Sequence, residues 1–186
     1  MDPLIYSLET CVQYLSQEMI ISYPTEAVFG LGCDPYSKKA IINLLSLKKR
    51  SIEKGFILIA ANYNQLAPLV DDEKLSFSQK DLMFSSWPGP VTWILPAREN
   101  TPYWLTGRFS TLAVRVSNHA SVINLCIAWG KPLVSTSANF ANLPPCRHES
   151  EVLVNFGNDF PVFSGKTGGR KKPSDIRNIF TGEYIR

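Results

Sequence analysis

Short apolar runs alternate with helix-length segments along most of this chain, and that alternation constrains the fold more than any other feature. The runs have the length of buried strands and occur at residues 56–61, 91–95, 112–116, 133–135 and 161–163. Helix candidates lie between them, near residues 64–70, 76–86, 119–129 and 148–156. Strands alternating with helices predict an α/β domain, in which helices cover both faces of a sheet.

The two ends of the chain add further elements to this prediction. Near the N-terminus an apolar stripe predicts an amphipathic helix, and its members are Leu4, Leu8, Val12, Leu15 and Met19. A short strand follows at residues 20–23, and residues 25–35 are typical of a functional loop or a bent strand. A second helix has Lys48 near its C-terminal end. At the other end, residues 176–186 predict a hairpin with a two-residue turn at Thr181 and Gly182, which would make the sheet mixed.

Length and composition exclude several classes of protein. A chain of 186 residues that is 45% hydrophobic is expected to form a single domain over residues 1–186, and it is too apolar for disorder. No apolar stretch reaches the length of a membrane span, and the N-terminus has no secretory signal, so we expect a cytoplasmic protein with no membrane partner. The four cysteines are widely spaced, which favours neither a zinc site nor a disulfide framework.

Positive charge is unevenly distributed along the chain. Residues 1–37 contain no Lys or Arg, whereas residues 38–54 carry six cations against one acidic residue, and Arg170, Lys171 and Lys172 form a second cluster. Clustered cations on a mildly basic protein indicate a polyanionic partner, either a phosphate compound or a nucleic acid. A solvated surface is the alternative. The phosphate-loop motif of the P-loop enzymes is missing, so any use of ATP would need an uncommon arrangement.

Two polar groups follow predicted strands, where α/β sheets usually bind ligands. One is the run of residues 135–139, Ser-Thr-Ser-Ala-Asn, which supplies neutral donors and acceptors; a helix N-cap is the alternative. The other is Thr25 with Glu26, of which Glu26 has the alternative role of a capping acid.

A cluster of cations and one further arginine each have two possible interpretations. Lys48, Lys49, Arg50 and Lys54 could hold phosphates or could form a solvated helix end. Arg115 interrupts the apolar strand at 112–116, so it either is buried with an anionic partner or ligand, or alternates outward into water.

Five motifs, in order along nearly the whole chain, together resemble the YrdC/TsaC family. They are Tyr-Pro-Thr-Glu-Ala at 23–27, Lys-x-Arg at 48–50, Trp-Pro-Gly-Pro-Val-Thr at 87–92, Ala-Val-Arg-Val at 113–116 and Ser-Thr-Ser-Ala-Asn at 135–139. The resemblance is to the short-form members, which lack the additional C-terminal domain of long-form relatives. It implies a YrdC-like fold, a twisted open mixed sheet flanked by helices with a positively charged concave face.

The resemblance also implies a reaction and its partners. L-Threonine, bicarbonate or carbon dioxide, and ATP as substrate with Mg²⁺ carried by the nucleotide would give threonylcarbamoyl-adenylate and pyrophosphate. This is the first step of threonylcarbamoyladenosine formation in ANN-decoding tRNA, which the protein would meet directly or through the downstream threonylcarbamoyl transferase complex. An RNA-binding module of the same fold without synthase activity is the alternative, since a basic concave surface can hold tRNA or double-stranded RNA.

The site residues implied by the resemblance fall into three groups. Those expected to be catalytic, by positioning and charge neutralisation, are Lys48 and Arg50. Those expected to bind ATP are Lys48, Arg50, Lys54, Thr111, Ser135, Ser137, Asn139, Arg147 and Arg186. Those expected to bind threonine are Thr25, Arg115, Ser137 and Ser174, with the Arg115 guanidinium clamping the threonine carboxylate. No residue is expected to ligate a metal.

Overall fold

A nine-stranded sheet organises residues 5–186, the part of the chain that the computed structural model describes. Its strands are β1 (Ile5–Tyr6), β2 (Ile21–Pro24), β3 (Phe29–Gly32), β4 (Ile57–Ala60), β5 (Val91–Pro96), β6 (Thr111–Val116), β7 (Leu133–Ser137), β8 (Val162–Phe163) and β9 (Asp175–Asn178). The helices in these residues are α1 (Leu8–Ser16), α2 (Lys38–Lys48), α3 (Phe77–Ser85), α4 (Tyr103–Thr106), α5 (Ala120–Trp129) and α6 (Glu149–Phe156).

The sheet is mixed, as predicted. The strand order is β1-β8-β2-β3-β7-β4-β6-β5-β9. Neighbours pair in parallel at β1–β8, β8–β2, β4–β6 and β5–β9, and antiparallel at β2–β3, β3–β7, β7–β4 and β6–β5. The predicted α/β fold class is therefore confirmed.

Helices cover both faces of the sheet because side chains alternate along the central strands. Ile59 in β4 and Leu133 in β7 point to one face, where they pack with buried residues of α1 and α5, namely Cys11, Leu15, Val122, Leu125 and Cys126. Their neighbours Leu58 and Val134 point to the other face. There they join a larger core that includes Ala40, Ile41 and Leu44 of α2, Met83 of α3, and Val152 and Leu153 of α6.

Serine hydroxyls fix where three of these helices begin. Ser7, Ser37 and Ser76 each accept a hydrogen bond from the backbone amide three residues later, so each satisfies an amide that has no partner inside its helix. At Ser76 the side chain of Gln79 completes a capping box. The helices therefore start where local sequence dictates.

Most predicted elements are present, but two helix predictions need correction. The first helix starts only at Leu8, since residues 5–6 pair with β8 instead; Met19 lies beyond its end and is 39% exposed, and Leu4 is outside the described residues. The helix predicted near 64–70 is wrong. Pro68 disfavours helical backbone before it, and the segment forms a 3₁₀ turn at Tyr63–Gln65 followed by turns that bury its apolar residues.

Two other segments are partly as predicted. Within residues 25–35 the structure has a turn followed by strand β3, which pairs with β2. The C-terminal hairpin is present, because the Ile185 amide donates to the Ile176 carbonyl at 2.8 Å. Its turn is longer than predicted. The backbone amide of Asn178 donates to the Glu183 carbonyl at 2.9 Å, so residues 179–182 form the loop.

Two glycines hold together the loops on one side of the sheet. Gly55 and Gly107 adopt φ angles of +60° and +63°, which residues with a Cβ rarely adopt. The two loops exchange backbone hydrogen bonds, from Phe56 to the Leu105 carbonyl at 2.9 Å and from Arg108 to the Glu53 carbonyl at 3.0 Å. The loop that carries Lys54 is thereby fixed against the loop that precedes β6.

Replacement of Gly107 tests this contact. A Cβ there would collide with the backbone carbonyl of Glu53 in addition to requiring a strained φ, so we expect Gly107→Ala to lower the free energy of unfolding by about 3 kcal/mol. Gly130→Ala is the matched control. Gly130 has φ +77° but no atom within 4 Å of its Cβ position, so only about 1 kcal/mol should be lost. Urea denaturation measures both, and equal losses would contradict the close-contact argument.

Candidate functional site

A cleft of about 510 Å³ lies on one face of the sheet. Its floor consists of alternate residues from the central and C-terminal strands: Gly30, Ser137, Ser135, Ile57, Ala113, Arg115, Ile94 and Ile176. These residues belong to β3, β7, β4, β6, β5 and β9 and share one face of the sheet, as their cross-strand pairing requires.

The cleft exists because the helices on this face cover only part of the strands. Ile59 and Leu133 are buried under α5, whereas two residues along the same strands Ile57 and Ser135 line the cleft. Small or polar side chains occupy much of the uncovered floor. The sheet is thus open to a ligand at the end where β7 continues into the Ser-Thr-Ser-Ala-Asn run.

Arg50 and Lys54 bring positive charge to one wall of the cleft. Arg50 donates two hydrogen bonds to the Gly55 carbonyl, from Nε at 3.3 Å and from Nη2 at 2.9 Å, and its guanidinium lies 5.4 Å from the centroid of the Phe56 ring. Burial lowers the pKa of Arg50 from its usual value. Arg50 is therefore a held, partly buried cation, and the alternative of a solvated helix end is wrong for this residue.

Lys48 is not part of the cleft lining. Its ammonium group donates to the Ser137 carbonyl at 2.8 Å, and to the backbone carbonyl and side-chain oxygen of Asn139 at 2.6 and 2.7 Å. Burial, and then the nearby charge of Arg50, lower the pKa of Lys48 to about 8. Lys48 thus joins the Lys-x-Arg motif directly to the Ser-Thr-Ser-Ala-Asn motif.

The run at 135–139 is the end of β7 and the bend that follows it, and not a helix cap. Ser137 lines the cleft and its hydroxyl donates to the Asn139 side-chain oxygen at 2.7 Å, while the Asn139 amide group donates to the Leu143 carbonyl at 2.6 Å. The next helix, α6, begins only at Glu149. The capping alternative for this run is therefore wrong.

Arg115 is buried with an anionic partner. Its Nη1 donates to Glu26 at 2.9 Å, and the Ser117 hydroxyl donates to the other carboxylate oxygen of Glu26 at 2.7 Å. Arg115 is 5% exposed and Glu26 is 8% exposed, so Arg115 does not alternate into water and Glu26 is not a capping acid. Arg115 lines the cleft, while Glu26 and Ser117 lie outside its lining.

Four further hydroxyl-bearing residues of the expected site line the cleft, namely Thr25, Thr111, Ser135 and Ser174. Two of the hydroxyls are fixed within the protein. Thr25 donates to the Val28 carbonyl at 2.8 Å, and Ser174 shares a hydrogen bond of 2.9 Å with Thr92. The structure thus brings together nine of the residues expected from the motifs, since Arg50, Lys54, Arg115, Ser137 and Arg186 also line the cleft.

Arg147 is placed differently from the other expected ligands. Its guanidinium donates to the backbone carbonyls of Ala27, Arg170 and Lys171 at distances of 2.8 to 3.3 Å, and it does not line the cleft. Arg147 therefore holds residues 170–171 against the loop after β2. Lys48 and Asn139 are the other expected ligands outside the lining.

Sequence reasoning missed the apolar part of the cleft and the partners of Arg115. Phe56, Ile57, Leu105, Phe109, Ile94, Ile176 and Ile185 contribute apolar surface to the lining. Strand alternation could have found Ile57, because it is two residues from the buried Ile59 on the same face. Nothing local in the sequence pairs Glu26 with Arg115, which lies 89 positions away.

Two kinds of feature are not found in the described residues. No group of three or more His, Cys, Asp or Glu side chains is arranged to hold a metal ion. Between residues 5 and 186, none of the helices is long and apolar enough to cross a membrane.

Comparison with known proteins identifies the family of this chain. The sequence pattern of the Sua5/YciO/YrdC family, described as "Telomere recombination", matches residues 13–186. A Klebsiella pneumoniae protein named threonylcarbamoyl-AMP synthase is 60% identical over 175 residues, which are 94% of this chain and 92% of that protein. An Enterobacter protein of the same name is 57% identical over 97% of this chain and 95% of its own length.

Solved structures give the same result for the fold. The structure of P. abyssi Sua5 complexed with L-threonine superimposes with a TM-score of 0.83 at 25% identity. The match covers 92% of this chain but only 50% of that one, so this chain spans about half the length of P. abyssi Sua5. Escherichia coli YciO, at 21% identity and a TM-score of 0.78, shares the fold over 92% of this chain and 82% of its own. The chain belongs to the Sua5/YciO/YrdC family.

Proposed function

We propose that this protein is a threonylcarbamoyl-AMP synthase, which converts L-threonine, bicarbonate or carbon dioxide, and ATP into threonylcarbamoyl-adenylate and pyrophosphate. The observation that carries the proposal is a single cleft that combines the exposed cation Lys54, the held cation Arg50 and the buried guanidinium of Arg115. The names of the most similar relatives support it, and so does the L-threonine bound by P. abyssi Sua5.

The two substrates would occupy different parts of this cleft. Arg50 and Lys54 would face the phosphates of ATP, with Ser135, Ser137, Thr111 and Arg186 around the nucleotide; Lys48, Asn139 and Arg147 would act on it through the groups they hold. Arg115 would bind the threonine carboxylate beside Thr25, Ser137 and Ser174, because a guanidinium fork matches a carboxylate in shape and charge.

Catalysis in this arrangement would rest on positioning and charge neutralisation. The carbamate formed on the threonine amine attacks the α-phosphate of ATP, and pyrophosphate leaves. Since nucleophile and electrophile are both anionic, the cations of the cleft lower the repulsion between them. Within the described part of the chain no Asp or Glu side chain lines the cleft, so Mg²⁺ would enter on the phosphates of ATP.

The first experiment is to measure pyrophosphate release from ATP by the purified protein. Threonine and bicarbonate are supplied together and then omitted in turn, with serine as the control substrate. Release that needs both supports the synthase, with serine reacting poorly. If no combination releases pyrophosphate from the folded protein, the proposal fails.

The lowered pKa of Lys48 predicts that nucleotide affinity depends on pH. Above about pH 8 its ammonium loses a proton, and a neutral amine has too few N–H groups for all three of its oxygen acceptors. Burial and Arg50 lower the pKa, and Cys146 acts in the opposite direction. We therefore expect the affinity for a fluorescent ATP analogue to fall between about pH 7 and about pH 9.5.

The matched variant for this titration is Lys48→Arg, which stays charged throughout the range. Its affinity for the analogue should change little with pH, whatever its absolute value. The same decline in both proteins would assign the effect to another group.

Several wider features belong to the same proposal. Residues 1–186 would form one YrdC-like domain, for which the single continuous sheet is the support. The product would pass to ANN-decoding tRNA, either directly on a positively charged concave face or through the downstream transferase complex. The dependence on ATP and four free thiols fit the cytoplasm. RNA binding without synthesis is less favoured, because it would not need a buried arginine in a hydroxyl-lined cleft.

A further inference from the structure

The buried side chains of Arg115, Glu26 and Ser117 form a connected series that leads away from the cleft. Arg115 donates from Nη1 to one carboxylate oxygen of Glu26, and Ser117 donates to the other. Ser117 is completely buried, and the side chains of Arg115 and Glu26 are 7% and 10% exposed. Both carboxylate oxygens of Glu26 therefore have a hydrogen-bond donor, which fixes the orientation of the carboxylate.

One buried nitrogen of the Arg115 guanidinium still lacks a hydrogen-bond partner in the described residues. Its Nε is buried and has no hydrogen-bond acceptor among residues 5–186. A buried N–H without an acceptor is costly, so its presence on a residue of the cleft floor points to a ligand that supplies the acceptor. A carboxylate oxygen is the natural candidate beside a guanidinium.

The backbone of Glu26 is held as firmly as its side chain. Its carbonyl accepts a hydrogen bond from the Arg170 amide at 2.9 Å, and the carbonyl of Thr25 accepts one from Gly168 at 3.0 Å. The carboxylate that faces Arg115 is thus attached to a segment with little freedom to move, and it can impose one orientation on a long, otherwise flexible side chain.

We infer that Glu26, held by Ser117, is a positioning residue that orients the Arg115 guanidinium toward the carboxylate of an α-amino acid substrate. The inference rests on the proposed function for the identity of that substrate as threonine. Glu26 and Ser117 act only through Arg115, because neither lines the cleft. Their contribution is to remove, before binding, the rotational freedom that Arg115 would otherwise lose on binding.

Titration calorimetry with threonine tests this role, with a fluorescent ATP analogue as the second ligand. In Glu26→Ala we expect threonine affinity to fall by about five- to tenfold, while affinity for the analogue stays within about twofold. Glu26→Gln should restore threonine affinity to within about twofold of the parent, because an amide can accept from Arg115 and donate to the Ser117 hydroxyl. Ser117→Ala should weaken threonine binding by about threefold.

Glu18→Ala is the matched control, since Glu18 also accepts from a serine, Ser37, and pairs with a cation, Lys39, but lies on the surface. It should bind threonine like the parent. Unchanged threonine affinity in Glu26→Ala, or equal weakening for both ligands, would overturn the inference. If Glu26→Ala does not fold, normal threonine binding by Ser117→Ala overturns it. Failure of the proposed function is distinguishable, because the parent protein itself would then release no threonine-dependent pyrophosphate.

Discussion

Arg115→Ala is expected to lower the free energy of unfolding by about 3 kcal/mol, because it leaves the carboxylate of Glu26 buried without its cation. Ser117 would still donate to that carboxylate, but one neutral hydrogen bond does not replace a charge. The variant should therefore be a stability mutant as well as a threonine-binding mutant. Urea denaturation followed by circular dichroism gives the stability, and calorimetry of the folded fraction gives the loss of threonine affinity.

A double variant separates the unpaired charge from lost packing. Glu26→Gln combined with Arg115→Met removes both charges and keeps side chains of similar length, so it should lose less stability than Arg115→Ala alone. The slope of the unfolding free energy against urea concentration should be the same in all variants, because each exposes a similar surface on unfolding. If the free energy of unfolding of Arg115→Ala is within about 0.5 kcal/mol of the parent value, Arg115 does not stabilise Glu26 in the way the geometry indicates.

Arg50→Ala is expected to reduce the rate of pyrophosphate formation by at least about tenfold, equivalent to about 1.4 kcal/mol of transition-state stabilisation. Arg50 lines the cleft and its guanidinium is already oriented by two hydrogen bonds to Gly55. It would meet a polyphosphate without the cost of ordering a free side chain. Steady-state kinetics with ATP varied at saturating threonine measures the effect.

The control for Arg50 is its neighbour Lys49, which is exposed and lies outside the cleft lining. Lys49 ends α2 with φ 48°, a left-handed conformation that asparagine tolerates. Lys49→Asn therefore removes one positive charge from the same cluster at little cost in stability, and it should leave the rate nearly unchanged. Equal loss in both variants would reduce the role of Arg50 to general electrostatic attraction.

Sequence alone could predict the sheet and the motifs that converge on it. Mainly apolar runs mark β4, β5 and β6, because a strand covered by helices is largely apolar on both faces. The polar run after Leu133 and Val134 marks the place where the sheet opens. The family, the fold class and the enzyme class expected from the five motifs are all confirmed.

The remaining features depend on contacts between distant residues. The hydrogen bond between Lys48 and Asn139 joins side chains 91 positions apart, and no local sequence pattern predicts it. The helix predicted near 64–70 was wrong for a simpler reason. The apolar spacing there favoured a helix, but the ring of Pro68 prevents one. The position of Arg147 could not be predicted from the sequence, because its three acceptors are backbone carbonyls from two separate loops.

The C-terminal hairpin described above has a consequence for how the cleft comes into being during translation. Pro173, Ser174, Ile176, Ile185 and Arg186 all line it, and β9 reaches its position only by pairing with β5. A ribosome synthesises a chain from its N-terminus at about 5–20 residues per second, so strands β1 to β8 emerge before these residues do. A nascent chain can thus pair strands β1 to β8 while this side of the cleft is still missing. The cleft is therefore completed only after the rest of its floor has formed.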